Sequence, residues 1–327
     1  MPVHGLGHKK ILAGLQEAIK NDSVAHAYIF EGPDGIGRRE TALTFSSMLL
    51  CSEHHSICGR CKSCQLFEED SNPDFQEIYT SDKSISVDDI RNILKGLVIR
   101  PLYSDYKIII INNADSMTVQ AQNALLKSLE EPPPYVVFIL TVQSGAAITP
   151  TVRSRCQRIL FNKMGDYEIM RILQAKYGDR RPEWDFIVSY ADGVIGTALT
   201  LAETPVFLDT RNEVLKSVSN ILGKKDEDVF KAYEVFEKND DKIDYILGII
   251  LLFFRDIIIY KQTSMDNILI NSDKKDIIIE NSGLKLTALL KCVTAVWEAK
   301  RNIEYNANFQ LAVEVMLMKI RDSYVQG

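Results

Sequence analysis

Four cysteines offer the strongest chemistry in the chain. Cys51, Cys58, Cys61 and Cys64 stand in the pattern C-x6-C-x2-C-x2-C. Thiols this close in an intracellular chain can converge on one tetrahedral ion, which favours zinc with every ligand position filled. The run C-x2-C-x2-C also opens a ferredoxin-type iron–sulfur motif, but the continuation x3-C-P is missing after Cys64. His54 and His55 could replace a thiolate, although four cysteines already suffice. Four unligated thiols in one loop form the bland alternative, and their reactivity argues against it. Cys156 and Cys292 lie far away and are expected to be buried thiols.

A second constellation is glycine-rich. Gly32-Pro-Asp-Gly35-Ile-Gly37-Arg38-Arg39 follows the phosphate-loop pattern G-x-x-x-x-G-K-[ST] except at its last two positions. Gly32, Gly35 and Gly37 could let backbone amides cradle a phosphate, with Arg38 at the lysine position. Arg39 replaces the hydroxyl that would bind magnesium, and a second cation there repels the ion. The acid expected at the end of a neighbouring strand is also absent, because KIIII ends in Asn112-Asn113. Asp115, three residues on, is a poor substitute. Two independent defects fall on the same chemistry, so the loop is expected to bind nucleotide weakly or merely to join a strand to a helix.

These groups need a scaffold, and the hydropathy pattern supplies one. Residues 26–31, 75–79, 107–111, 135–141 and 158–161 read as strands. Helical segments alternate with them, at Glu40–Leu50, from Ser86 as N-cap to Gly96, and from Thr118 to the prolines at 132–134. The alternation implies an α/β domain with a parallel sheet over residues 1–163. From Asp166 onward the periodicity is helical. Residues 164–205 read as a small helical unit and 206–327 as a larger all-helical domain. Aliphatic stripes such as Ile243, Ile246, Leu247, Ile250 and Leu251, then Leu311, Val313, Val315, Met316 and Met318, read mostly as core. The charged runs Lys224–Asp228 and Lys238–Lys242 read as solvated surface.

Composition narrows the function classes. The 327 residues carry 38 basic and 44 acidic side chains, a net charge of −6. A freestanding binder of DNA phosphates is usually basic, so a zinc-stabilised nucleic-acid module is disfavoured. Residues 151–200 nevertheless hold eight basic against six acidic side chains. No acidic pair matches the two-metal arrangement of a polymerase or nuclease. The N-terminal segment lacks the apolar core of a signal peptide, and Ile246–Tyr260, interrupted by Arg255 and Asp256, is too short to span a bilayer. A cytoplasmic chain with no membrane contact is expected.

The degenerate loop, the inserted four-cysteine module, QNALLKSLEEPP and TPTVRSRCQ, in that order, resemble the clamp-loader family of AAA+ proteins. The resemblance runs from HAYIFEGPDGIGR to NIEYNANFQLAVEVMLMKI. It implies a RecA-like P-loop domain, a helical lid and a helical collar that builds a ring with gamma/tau and delta subunits. Such rings use ATP to open a sliding clamp and load it on primer-template DNA. The loop defects imply a non-hydrolysing, stationary member; an active gamma/tau-type ATPase is the alternative. By the same resemblance, Arg155 in Ser154-Arg155-Cys156 is an arginine finger for the adjacent subunit's ATP. An arginine that ties this loop to its own domain is the competing reading. Arg153 and Arg158 are expected to make surface contacts. Thr141 and Thr197 stand at positions that resemble the family's sensors. Gln122, Asn123 and Lys127 are candidates to face the ring interior.

Overall fold

The structure, a computed structural model, describes residues 7–53, 57–79, 84–178, 181–222 and 227–325. His54, His55 and most of the run 224–228 lie outside the described residues. The chain divides into two units, Met1–Ile172 with Gly193–Gly196, and Leu173–Asp192 with Thr197–Gly327.

The first unit is built on five strands: β1 (Ala27–Glu31), β2 (Phe75–Ile78), β3 (Lys107–Ile111), β4 (Val136–Val142) and β5 (Gln157–Leu160). All are parallel and lie in the order β2-β3-β4-β1-β5. β3 and β4 are buried at every position. This is why their sequences are unbroken aliphatic runs, since a central parallel strand is covered on both faces. Alternate residues serve opposite layers. Ile109, Ile111, Phe138 and Leu140 join one cluster, and Ile108, Ile110, Val137 and Ile139 the other. The edge strand β5 is largely exposed, and it begins one residue before the expected position.

The helices of this unit are α1 (Lys9–Lys20), α2 (Arg38–Leu50), α3 (Lys62–Glu68), α4 (Val87–Lys95), α5 (Val119–Glu130), the single-turn α6 (Pro150–Arg153) and α7 (Asp166–Tyr177), whose last residues pass into the second unit. Ser86 caps α4 in a reciprocal box with Asp89, and Thr118 caps α5 by accepting from the Ala121 N–H. α2 starts two residues earlier than expected because Gly37, at φ +102°, forms its N-cap directly.

Gln122 corrects a sequence expectation. It is buried at 2% exposure, and its amide bonds the carbonyls of Met117 and Ala147 and accepts the Thr149 N–H. The sequence makes it a candidate to face the ring interior; the side chain instead ties α5 to the segment that leads into α6. Asn123 and Lys127 are exposed.

Among the described residues the second unit is helical, with α8 (Trp184–Ala191), α9 (Ile195–Glu203, whose first two residues belong to the first unit), α10 (Pro205–Ile221), α11 (Glu227–Glu237), α12 (Ile243–Thr263), α13 (Lys275–Asn281), α14 (Leu286–Glu304) and α15 (Phe309–Val325). α12 is the apolar helix anticipated around 246–260, and no described helix is long and apolar enough to cross a membrane. Its Asp256 is fully buried and accepts the N–H groups of Ile270 and Asn271 at 3.1 and 2.7 Å. Asn271 in turn accepts from buried Arg211, which grips Asp273 with two bonds of 2.7 and 2.8 Å and lies over the Phe186 ring. This polar core pins the loop after α12, satisfying charges that would otherwise be costly to bury. Val313 and Met316 are core, whereas Leu311 and Val315 are exposed.

Candidate functional site

The glycine loop links β1 to α2. Gly32 can only be glycine, because a Cβ there would stand 2.6 Å from the Phe161 carbonyl oxygen. Gly35 and Gly37 both hold positive φ, at +70° and +102°. The loop's carbonyls are already engaged. Gly35 accepts the Gly196 N–H at 2.8 Å, and Ile36 accepts His8 Nε2–H at 2.7 Å. The approach is close enough that a Cβ on residue 196 would collide with Gly35 at 2.7 Å.

Of the two arginines that break the motif, Arg39 is paired through both prongs, whereas Arg38 is paired through Nη2 and its Nη1 is buried without a partner. Arg38 is 4% exposed and pairs with Asp34 at 3.2 Å. Burial lowers its basicity, opposed by the charges of Asp34 and Asp115. Arg39 donates from Nε and Nη2 to both oxygens of Glu77, at 2.7 and 2.8 Å. Such a two-pronged pair matches the guanidinium fork. Glu77 also accepts from Asn112 Nδ2, and Asn112 Oδ1 accepts from Thr141 at 3.3 Å. Thr141 accepts the Asn113 N–H at 3.0 Å. Asp115 accepts the N–H groups of Gln143 and Ser144. The carboxylates near the strand ends therefore have partners within the protein, and a cation occupies the place beside Glu77.

The four cysteines converge. Their sulfurs all lie within 4.8 Å of one another and could hold a metal ion. Cys51 ends α2, and Cys61 caps α3, with its sulfur accepting the Cys64 N–H at 3.4 Å. The Cys58 sulfur accepts the Cys61 N–H at 3.3 Å. Burial alone would raise Cys61, but N–H donors from Ser52 and Cys64 outweigh it and bring the thiol down to about 6. Burial pushes Cys51 and Cys64 up. Four converging sulfurs are a donor set that a divalent ion would complete by displacing the thiol protons. The segment is anchored to the sheet by an edge-on Phe67–Phe75 contact and by Asn72, which bonds both oxygens of Ser63 at 2.9 Å. Cys292 is buried as expected, whereas Cys156 is half-buried; burial raises both, to about 11 and about 12.

Arg155 follows α6, with 34% of its side chain exposed. Nη1 donates to the Thr151 carbonyl at 2.8 Å and approaches Ser154 Oγ at 3.4 Å. Nη2 donates to Glu130 Oε1 at 2.7 Å. The side chain thus does tie its loop to its own domain, while remaining open on one side. Arg153 donates to the Gly145 carbonyl, and Arg158 pairs with Glu31 at 2.6 Å. Burial would raise the Glu31 carboxyl, but the Gly145 N–H and Arg158 hold it below the usual range. The partners Glu31, Glu77, Glu130 and His8 went unnoticed in the sequence. Only Glu130 carried a local signal, an acid at the electronegative end of a helix.

A parallel sheet of this order, with a glycine loop between β1 and α2 and a helical second unit, defines the RecA-like AAA+ class. Residues 7–165 match the family described as "DNA polymerase III, delta subunit", and residues 205–322 match "DNA polymerase III, delta subunit, C terminal". The chain belongs to this DNA polymerase III family of clamp-loader subunits, on its delta-prime branch. It is 25% identical to DNA polymerase III subunit delta' of Bacillus subtilis over 320 residues, 96% of each chain. It is 38% identical to the delta' subunit of Pseudomonas aeruginosa over 136 residues, 40% of this chain and 42% of that one. Against Bacillus subtilis subunit tau it is 30% identical over 283 residues, 78% of this chain but only 49% of that longer one. Among solved structures, a gamma subunit-related protein of Thermotoga maritima shares the fold, with a TM-score of 0.50, 20% identity and coverage of 96% and 99%.

Proposed function

We propose that this chain is a non-hydrolysing, stationary clamp-loader subunit that lends Arg155 to a neighbouring subunit's ATP site. One juxtaposition carries the reading. Arg39 pairs with Glu77 beside the chain's own loop, where a magnesium site would need a hydroxyl and an acid, and Arg155, though bonded to Glu130, keeps 34% of its side chain exposed in the Ser154-Arg155-Cys156 turn. A guanidinium stays charged and binds phosphate oxygens in a fork, so it suits a site assembled between chains. The neighbour would be a gamma/tau subunit, with delta completing the ring, and the complex would open a sliding clamp for primed DNA in the cytoplasm.

In this reading residues 1–163 form the RecA-like domain, 164–205 the lid and 206–327 the collar. Cys51, Cys58, Cys61 and Cys64 would hold zinc. With four thiolate ligands the ion has no open position, so it supplies rigidity between α2 and α3 rather than catalysis. Gly32, Gly35, Gly37 and Arg38 would bind nucleotide weakly or not at all, because Arg39 stands where the magnesium-binding hydroxyl belongs and the strand end offers Asn112 and Asn113 in place of an acid. The gamma/tau-type alternative draws support from the likeness to tau. The Arg39–Glu77 pair weighs against it, since it sets a cation where magnesium would need an acid.

The test is ATPase of the reconstituted complex with clamp and primed DNA. Arg155→Ala should lower it by about tenfold with assembly intact. The full effect at one site can reach about 10³, diluted here by sites that take their arginine from other chains. Unchanged turnover would remove the finger. Magnesium-dependent hydrolysis by the isolated chain would favour the alternative.

A further inference from the structure

Glu130 is the last residue of α5, and Glu131 and three prolines follow it. Carboxylates at the electronegative end of a helix are unfavourable unless a cation answers them. Arg155 answers Glu130 at 2.7 Å. The other acceptors of Arg155, the Thr151 carbonyl and Ser154 Oγ, belong to its own turn. Glu130 is therefore the contact that fixes the guanidinium to the sheet-packed body of the domain, whose Leu125 and Leu129 are buried on the same helix.

The rest of the frame is tied together by hydrogen bonds. Gln122, two turns back along α5, bonds Ala147 and Thr149 and so holds the entrance to α6. α5 and α6 are joined at one end by Gln122 and at the other by Glu130, across a helix rise of about 12 Å. A long arginine side chain at the surface otherwise samples many rotamers. Here its two terminal nitrogens are held from two different elements.

We propose that Glu130 is the positioning residue for Arg155, setting its guanidinium for the phosphates of a nucleotide on a neighbouring chain. The proposal rests on the arginine-finger reading above. Glu130 touches no substrate; it acts through Arg155. Preorganisation of a charge aimed at a transferring phosphate raises turnover rather than ground-state nucleotide affinity.

The experiment is a double-mutant comparison in the reconstituted complex, with kcat and KM for ATP measured at saturating clamp and primed DNA. Glu130→Ala should lower kcat about fivefold, leave KM within about twofold, and leave the melting midpoint of the free chain nearly unchanged, because Glu130 is half exposed. Glu130→Gln, whose amide oxygen still accepts from Nη2, should keep most of the activity; Glu130→Asp, one methylene short, should not. The Glu130→Ala/Arg155→Ala pair should be no slower than Arg155→Ala alone. If Glu130→Ala and Glu130→Asp turn over at the wild-type rate while Arg155→Ala is slow, the positioning role is wrong and the finger stands. If the double variant falls below Arg155→Ala by the factor seen for Glu130→Ala alone, Glu130 acts elsewhere and the proposal is overturned. If Arg155→Ala itself is unimpaired, the finger reading fails, and this inference with it. Should Glu130→Ala fail to assemble, the Gln-against-Asp comparison decides the matter alone.

Discussion

The cysteine segment and the glycine loop both announce themselves by spacing, and the fold treats them in opposite ways. The four sulfurs point at one another within 4.8 Å, and the donors around them are backbone N–H groups that favour thiolate. Most of the loop's charged groups and two of its carbonyls point at protein partners, Arg38 Nη1 excepted. Arg39 grips Glu77, Arg38 faces Asp34, and the carbonyls of Gly35 and Ile36 hold Gly196 and His8. Convergent donors that lack an opposite charge call for a ligand from outside. A motif whose charges are mostly answered inside the chain has less left to offer a ligand. Arg155 stands between the two, answered by Glu130 yet open on one side.

The largest effect should come from the cysteines. Purified chain should carry one equivalent of metal, and the Cys61→Ser/Cys64→Ser variant should lose it. Losing a structural metal belongs to the few changes that cost more than about 4 kcal/mol. In a chain of this size that corresponds to a melting midpoint about 6 °C lower. A chelator that leaves both metal content and midpoint unchanged would erase the contrast with the loop. Next in size is the roughly tenfold ATPase loss for Arg155→Ala described above. Arg38→Ala in the same complex should leave turnover per assembled complex within about twofold, because Arg38 faces no neighbour's phosphate in this reading.

A smaller effect should follow from giving the loop back its missing groups. Arg38→Lys/Arg39→Thr/Asn112→Asp restores the lysine, the hydroxyl and the strand-end acid. It also leaves Glu77 beside a new carboxylate with no guanidinium to balance them. The variant should lose about 1–3 kcal/mol without magnesium, and adding magnesium should recover part of that loss. The wild-type midpoint should not respond to magnesium or to magnesium–ATP. A wild-type response would mean that the loop still binds nucleotide, and the comparison would fail.

How far the sequence carried these sites depended on the range of the interaction. β3 and β4 were legible because burial on both faces leaves an unbroken aliphatic run. The cysteines were legible because their ligand spacing is local. The start of α2 was missed by two residues, since Arg38 and Arg39 read as the last positions of the phosphate-loop pattern while Gly37 supplied the cap. Gln122 was a candidate for the ring interior because composition cannot show that its amide is satisfied by three backbone groups. Asp256 looked like a break in an apolar helix, yet it organises the loop that holds Arg211. Glu77 and Glu130 meet their arginines across 38 and 25 residues, and nothing in either neighbourhood names the partner. Pairings that close across a sheet or between helices are set by topology, which local pattern does not encode.

The smallest expected effect concerns the loop's last occupied carbonyl. His8 donates from Nε2 to Ile36 at 2.7 Å and meets the Phe161 ring edge-on. Burial pulls its pKa below the ordinary 6.5, against the opposing influence of the Ile36 carbonyl and of Glu168. At pH values well above 6.5 the imidazole is neutral in both folded and unfolded chains, so it adds no pH dependence there. As pH falls through that range the unfolded chain takes up a proton that the folded chain refuses, and stability declines until the folded value is passed. His8→Gln keeps an N–H donor and cannot titrate. Between about pH 7.5 and about pH 5.5 the wild-type melting midpoint should therefore drop further than that of His8→Gln. Equal drops would mean that His8 is protonated as readily in the fold as outside it, and that the loop is less tightly closed on this side than its hydrogen bond implies.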